Sequence, residues 1–501
     1  MDAKTTKTVV IVVAVVVVIA AAAAIIMMRG NNSGGGGEDI DLGDYNFDYM
    51  SQYDTNFDYF KQTRLAVLGN ANNDTTIDSD DVGFIKNLIK NGEIDARANS
   101  DAYAKNYMAD ATNDGKINEN DVKYVQEIID GKSTKLFYES LTDGIASYTP
   151  AKKTYIITSQ RCYARAAVMI ANSSTNVEIV GGSNDVCTEV EFQDVVDQDK
   201  IENIGTYAYE DAEKVSAIVA KYKGNGATVA VLTGSTGSYC KDFENKGTQA
   251  QFIRFISWEG DALSGLLTAA FLIDGAGNED AKDGTAWGKA KEFEAWYDGY
   301  MDVVKKQSAK MTSKTTAVLG YVADGLGGVT FPKGCQTSNT MRGTGTSENV
   351  MIENGGGKNM VNLFPSYSQE TAYGRVPYTL EDIAAVFQKA DVSTIIIMNG
   401  VMCGIDQDFE DEFGACLAKA FKGFVPSTTN IYVKSWLLNG VPMAIDQIVI
   451  AKMLMPDDPV VGAFDIEKIW NEYLELYGAP ENSTLSYDNC AFYGEKAYHT
   501  S

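Results

Sequence analysis

The sequence predicts a two-lobed α/β body preceded by a small calcium-loop repeat and a membrane-spanning segment. Three observations carry this. Val9 to Met28 is an unbroken apolar run of twenty residues. Two acidic segments, at 69–81 and 109–121, repeat one pattern of oxygen-bearing side chains. From about residue 151 onward, strand-like apolar runs alternate with helical patterns, the signature of parallel sheets built from βαβ units.

The apolar run is long enough, at about 1.5 Å per residue, to cross a hydrocarbon layer of about 30 Å. Lys4 and Lys7 precede it, and Arg29 alone follows before Glu38 and Asp39. The positive-inside rule then puts the N-terminus in the cytoplasm and the main body outside, a single-pass arrangement. Cleavage as a signal peptide at the small residues Ala20 to Ala24 is the competing reading; Ile25 to Met28 continue the apolar run past that point. Residues 30–64, with four consecutive glycines and NFDY at 46–49 and again at 56–59, offer no periodic apolar face and read as a flexible spacer.

In the repeat, oxygen ligands recur at positions 1, 3, 5 and 12 of a twelve-residue loop: Asn70, Asn72, Asp74 and Asp81, then Asp110, Thr112, Asp114 and Asp121. Position 7 adds a backbone carbonyl, from Thr76 or Lys116. A hard cation such as Ca²⁺ takes that number of oxygens, so about two ions are expected. After each loop the apolar residues return at helical spacing, Val82, Ile85, Leu88 and Ile89 matching Val122, Val125, Ile128 and Ile129. Both loops end in Asp where an EF-hand ends in Glu, and in this the pattern resembles a type I dockerin module over residues 65–132. That resemblance implies a cohesin-like partner. Thr75 stands where Gly115 eases the turn in loop two, and Asn70 replaces a carboxylate, so loop one is expected to bind more weakly.

The body begins with TYIIT at 154–158, a helix from about Arg161 to Ala171, VEIV at 177–180 and TVAVL at 228–232. A second set of strands follows at 316–322, 394–398 and 430–433. Between the two sets Trp287, Ala290, Phe293, Tyr297, Tyr300, Met301 and Val304 recur three or four apart, predicting one long helix joining the lobes. GLGG at 325–328 and GTGT at 343–346 show no strand directly before and no helix directly after, and read as surface turns.

The order of elements over roughly 151–478 resembles the class III solute-binding proteins of ABC importers. The resemblance is carried by TYIITSQRCYARAAVMIANSSTNVEIVGGSND at 154–185 and GGGKNMVN at 355–362 with YTLEDIAAVFQKADVSTIIIM at 378–398. The segment SWLLNGVPMAIDQIVIAKMLMPDDPVVGAFDIEKIWNEYLELYG at 435–478 completes it. It implies two Rossmann-like lobes joined by a rigid helix, here preceded by a small all-α, dockerin or EF-hand-like module and a transmembrane helix. It also implies a ligand of the iron-siderophore, haem or cobalamin kind and an ABC permease as partner. The expected organisation is 1–29 stub and anchor, 30–64 spacer, 65–132 repeat, 151–280 first lobe, 281–310 connecting helix, 311–480 second lobe and 481–501 tail. Ligands of open α/β sheets settle beyond the strand C-termini. Candidate contacts are therefore Gln160, Arg161, Tyr163, Tyr207, Ser235 and Tyr239 in the first lobe, with Arg342, Asn399 and Trp436 in the second.

Composition narrows function further. With 42 basic and 68 acidic residues, the formal charge of −26 opposes nucleic acid and anionic membrane surfaces. The seven cysteines, all after the repeat, show neither a disulfide framework nor a metal knuckle; free thiols and unrecognised disulfides are both allowed. The one histidine, His499, reads as a tail residue, which argues against His-dependent hydrolases and His-lined pockets for bare transition-metal ions. The leading expectation is a membrane-tethered extracellular receptor that performs no chemistry and passes a metal chelate, haem or corrinoid to a permease. The alternative is a surface adhesion or scaffold protein docking through the repeat to a cohesin. A metallocluster reductase of the same fold class is the third reading, disfavoured by the scattered cysteines.

Overall fold

The computed structural model describes residues 64–500 apart from 133–134, 141–143, 207–208, 234–248, 255–262, 333–334, 345, 370–373, 400–406, 436–442, 481–482 and 488–495. The apolar run and the spacer up to residue 63 lie outside the described residues; within the described residues, no helix is long and apolar enough to cross a membrane.

Each half of the repeat folds as a loop capped onto a helix. Asp78 and Asn118 form matching capping boxes that start α1 (Ser79–Leu88) and α3 (Glu119–Ile129). Between them lie β1 (Ile94–Asp95), α2 (Ser100–Asn106) and β2 (Lys116–Ile117), β1 pairing antiparallel with β2. Residues 133–150, unassigned in the sequence, hold an antiparallel hairpin of β3 (Leu136–Ser140) and β4 (Gly144–Tyr148).

The first lobe is a parallel sheet in the order β11-β10-β5-β6-β7. Its strands are β5 (Lys153–Thr158), β6 (Val177–Gly182), β7 (Glu202–Asn203), β10 (Ala227–Thr233) and β11 (Gln251–Arg254). A small pair, β8 (Gly205–Thr206) and β9 (Tyr209–Glu210), lies off it. Its helices are α4 (Arg161–Ser173), α5 (Asn184–Thr188), α6 (Val190–Gln193), α7 (Ala212–Tyr222) and α8 (Ser264–Ala270). Beyond α8 the chain makes a π turn, and the Asp274 carboxylate accepts from the Ala286 and Trp287 N–H groups at 2.9 and 2.8 Å. That capping starts α9 (Ala286–Ser308), the expected connecting helix, 23 residues long.

The second lobe runs β15-β13-β12-β16-β17, with β14 also on β12. Here β12 (Thr315–Tyr321), β14 (Gly357–Asn359), β16 (Thr394–Asn399) and β17 (Asn430–Ser435) are parallel, while β13 (Thr340–Arg342) and β15 (Arg375–Pro377) bring in antiparallel pairs. Helices α10 (Ser347–Asn354), α11 (Leu380–Lys389), α12 (Gln407–Ala420), α13 (Met443–Leu454) and α14 (Ile466–Tyr477) complete it. Asp465 caps α14 and Gly478 closes it in the left-handed conformation.

Two expectations change. The GTGT segment does lie between a strand and a helix: β13 ends at Arg342, and the Thr346 hydroxyl caps α10 by accepting from Asn349 N–H. A three-residue strand leaves no apolar run to recognise. The C-terminal tail is not loose either, since Tyr498 bridges to Ile431 on β17 and packs into the space that Gly414 leaves; a Cβ there would sit 2.2 Å from the tyrosine ring.

The core is continuous. Leu65, Ile85, Val125 and Ile128 of the repeat belong to one buried cluster with Phe271 and Trp287, with Phe293 and Tyr297 of α9, and with Ile448 of α13 and Trp470 of α14. Gly131 and Gly277 make the closest seam, both at positive φ; a Cβ on Gly277 would fall 2.3 Å from the Gly131 Cα. The repeat is thus seated on the body by buried apolar surface and backbone contact, and the boundary near 132 is not a boundary of the core.

Candidate functional site

Parallel strands place their C-termini at one edge of a sheet. Helix α9 packs against α4 of the first lobe and against α13 and α14 of the second. The chain leaves β5 at Thr158, and Gln160, with extended backbone, takes the N-cap position of α4. Arg161 follows, half-buried, its Nη1 2.8 Å from Glu189 Oε1. One turn further, Arg165 is fully buried and holds Glu191 through two parallel hydrogen bonds, Nε to Oε2 at 3.0 Å and Nη2 to Oε1 at 2.9 Å.

In the second lobe, Lys434, next to last on β17, donates to Asp446 Oδ2 of α13 at 2.7 Å, both side chains buried. Burial pushes Asp446 up to about 6 against the opposing pull of Lys434, with Arg165 of the first lobe also acting on it. Burial likewise pushes Glu191 up to about 7, opposed by Arg165.

Arg342 ends β13, where its Nε lies 3.0 Å from Glu348 Oε1 and its guanidinium 6.0 Å from the Tyr321 ring. Asn399 ends β16, in register with Ser435. Of the residues expected from the sequence, Gln160 and Arg161 follow the C-terminus of β5 and Asn399 ends β16, whereas Arg342 ends the antiparallel β13, two residues back from the level of Tyr321. Tyr163 is 1% exposed and belongs to the core, in a helix buried on every side from Cys162 to Ile170. Tyr207, Ser235, Tyr239 and Trp436 lie outside the described residues. Sequence reasoning missed Arg165, Tyr321, Arg375, Lys434 and Asp446, whose relation is purely tertiary.

His499 lies at the other end of β17, its Nδ1 3.2 Å from the Thr429 carbonyl, away from the crevice. Among the described residues Cys187, Cys335 and Cys416 are free thiols, and Cys162 is buried. Burial pushes Cys335 up to about 11 and raises Cys187 and Cys416 as well, the reverse of an activated nucleophile.

The repeat loops are the second candidate site, and their internal symmetry extends to single hydrogen bonds. Asp81 accepts from Asn72 N–H at 3.1 Å and Asp78 N–H at 2.9 Å; Asp121 accepts from Thr112 N–H at 3.1 Å and Asn118 N–H at 2.8 Å. Asp74 receives Thr76 N–H at 2.7 Å as Asp114 receives Lys116 N–H at 2.9 Å. Asn73 and Asn113, both fourth in their loops, adopt positive φ. The residues fit a cation. Asp110 and Asp121 are both fully buried carboxylates that form no ion pair among the described residues. Asn70 Oδ1 is buried without a hydrogen-bond partner, its amide nitrogen being committed to the Leu65 and Asp74 carbonyls. Among the described residues no three carboxylate, thiolate or imidazole groups already converge in metal-holding geometry. The remaining ligands of such a site are amide, hydroxyl and carbonyl oxygens. Lys116 is a ligand only through its backbone, since its ammonium turns out to Glu93 at 2.8 Å.

No family model matches the chain, and no curated protein matches it. Among solved structures it is similar to the TroA-like periplasmic binding protein FepB from Veillonella parvula, at 16% identity over 68% of this chain and 95% of that one, TM-score 0.46. It is also similar to a periplasmic haem-binding protein from Pseudomonas aeruginosa, at 13% identity over 61% and 94%, TM-score 0.38. A third is the molybdate-binding protein MolA of Haemophilus influenzae, at 14% identity over 69% and 99%, TM-score 0.42. At these TM-scores the likenesses do not bear on function.

Proposed function

We propose that this chain is an extracellular solute receptor, tethered by its N-terminal apolar segment, that holds a preformed metal chelate, haem or corrinoid in the crevice between its lobes and presents it to an ABC importer. The observation that supports this most is the two-lobed arrangement. Two α/β lobes, one with a parallel and one with a mixed sheet, pack on one long helix, with Arg161 just after the C-terminus of β5 and the chain's only imidazole beside the start of β17. The strand C-terminal edge is where open α/β sheets receive ligands. Without an imidazole cage, a bare Zn²⁺ or Mn²⁺ ion has no suitable nest, whereas a chelate can meet arginine with its charge and aromatic side chains with its organic periphery. The loops of the repeat hold about two Ca²⁺ ions, which neutralise the buried Asp110 and Asp121 and stiffen the layer on which α9 rests.

Equilibrium titration of the full chain in detergent against a ferric hydroxamate, haemin and a cobalamin tests the reading. One of them binds with micromolar or tighter affinity, on the order of 8 kcal/mol or more, and free Fe³⁺, Zn²⁺ and Mn²⁺ do not compete. Saturation by a free ion, a sugar or a peptide with every chelate ignored overturns the ligand class.

A further inference from the structure

Five arginines follow residue 150, in both lobes. Arg161 and Arg165 open the helix that leaves β5, and Arg254 is the last residue of β11. Arg342 and Arg375 lie on the antiparallel pair β13 and β15 to one side of β12. In a chain of net charge −26, long-range fields repel anions, so an anionic solute is captured only where cationic groups are concentrated at contact range.

Two of the five are arranged as a pair. Arg342 and Arg375 are directly opposed in the antiparallel register of β13 and β15, a placement in which side chains lie about 5 Å apart at Cβ and like charges repel. Both guanidinium groups lie over one ring, that of Tyr321 at the end of β12, at 6.0 and 5.6 Å from its centroid. The ring is itself fixed: it is 1% exposed, and Tyr378 O–H donates to its backbone carbonyl at 3.0 Å. Glu348 on α10 holds the Arg342 Nε edge at 3.0 Å and so sets that guanidinium's orientation. Both arginine side chains remain partly accessible. A rigid aromatic platform bearing two aligned guanidinium forks matches the bidentate geometry of a carboxylate or another oxyanion, which also relieves the repulsion between them.

We propose that Arg342 and Arg375, backed by Tyr321, form the anion-recognising subsite of the crevice, so that the solute is one that presents a carboxylate or comparable oxyanion to the second lobe. This deepens, and rests on, the receptor reading above. The full chain is titrated with haemin, with haemin dimethyl ester, whose propionates are masked, and with ferric citrate. Iron-free citrate and phosphate are added as separate arms read by thermal shift. The expected result is that the acidic ligands bind and the ester binds at least tenfold more weakly. Arg342→Gln and Arg375→Gln each lower affinity for the acidic ligands about tenfold without lowering it for the ester, while thermal unfolding shows each variant folded. Arg342→Lys and Arg375→Lys, which keep charge but lose the fork, recover only part. If chelates bind but the ester and the Gln variants behave as the unmodified pair does, the arginine fork is wrong and the receptor reading stands. If free citrate or phosphate binds through these arginines while every chelate is ignored, the fork stands and the chelate reading falls. If neither chelate nor free oxyanion binds, the fork falls too.

Discussion

Glu139 sits in the hairpin between repeat and body, 7% exposed, accepting a hydrogen bond from the Tyr107 hydroxyl. Burial holds its carboxyl well above the ordinary range. The folded chain therefore keeps a proton that the unfolded chain gives up near its ordinary value of 4.5, and stability falls as pH rises from there toward the folded value. Glu139→Gln should remove that slope, leaving stability at pH 5 within about 1 kcal/mol of the parent and raising it at pH 8. Urea unfolding at the two pH values decides it, and a variant less stable at pH 8 than the parent contradicts a neutral Glu139. At this scale the sequence was a partial guide. It named Arg161, Arg342 and the loop ligands from local spacing, but Arg375 lies 33 positions beyond Arg342 in the chain and meets it only through strand pairing. Tyr163 is core because the helix that carries it is buried on every side from Cys162 to Ile170, which its position after the strand does not reveal.

At the scale of elements, the seam between repeat and body concentrates in two glycines. Gly277→Ala would place a Cβ against Gly131 and force left-handed backbone on alanine. The backbone term costs about 1 to 2 kcal/mol and the overpacking roughly 1 to 3 more. Gly284 also has positive φ but opens onto empty space, so Gly284→Ala should incur only the first part. Equal losses for the two in urea unfolding would mean that the seam carries no packing energy. In the repeat, Asp114→Ala with Asp121→Ala should abolish the tighter calcium site while leaving loop one's weaker site, read by calorimetry; two sites surviving unchanged would remove loop two from the metal account. Thr75, where loop one departs from loop two, gives its carbonyl and hydroxyl to Lys291 of α9 at 3.0 and 2.9 Å. The departure thus coincides with a tertiary contact. The long buried strands were legible as apolar runs, and α9 as a stripe, because burial imposes its period on the sequence. The strands β13 and β15 are three residues each and the hairpin β3–β4 is buried along its first strand, so neither shows the alternation by which half-buried strands are recognised.

Across the whole molecule, one buried cluster runs from the repeat through α9 into both lobes. Calcium withdrawal should accordingly lower the unfolding temperature of the body, not only of the repeat, because a ligand of the native state stabilises everything that unfolds with it. Tryptophan fluorescence, with Trp287, Trp296 and Trp470 distributed on α9 and α14, reports the body; a body transition indifferent to EDTA and to millimolar Ca²⁺ would contradict that coupling. Architecture at this scale was readable from the order of elements, whereas the seating of the repeat on the body was not, since it rests on residues such as Gly131 and Gly277 that carry no apolar signal. The central claim, that the crevice holds an anionic chelate, meets its most direct test in whatever accompanies the full chain when it is purified from its native host. The account predicts one small molecule per chain whose mass and visible absorption identify an iron chelate, a haem or a corrinoid bearing free acidic groups. A chain that instead carries a sugar or a peptide, or arrives bound through its repeat to a cohesin-like protein with an empty crevice, would contradict it.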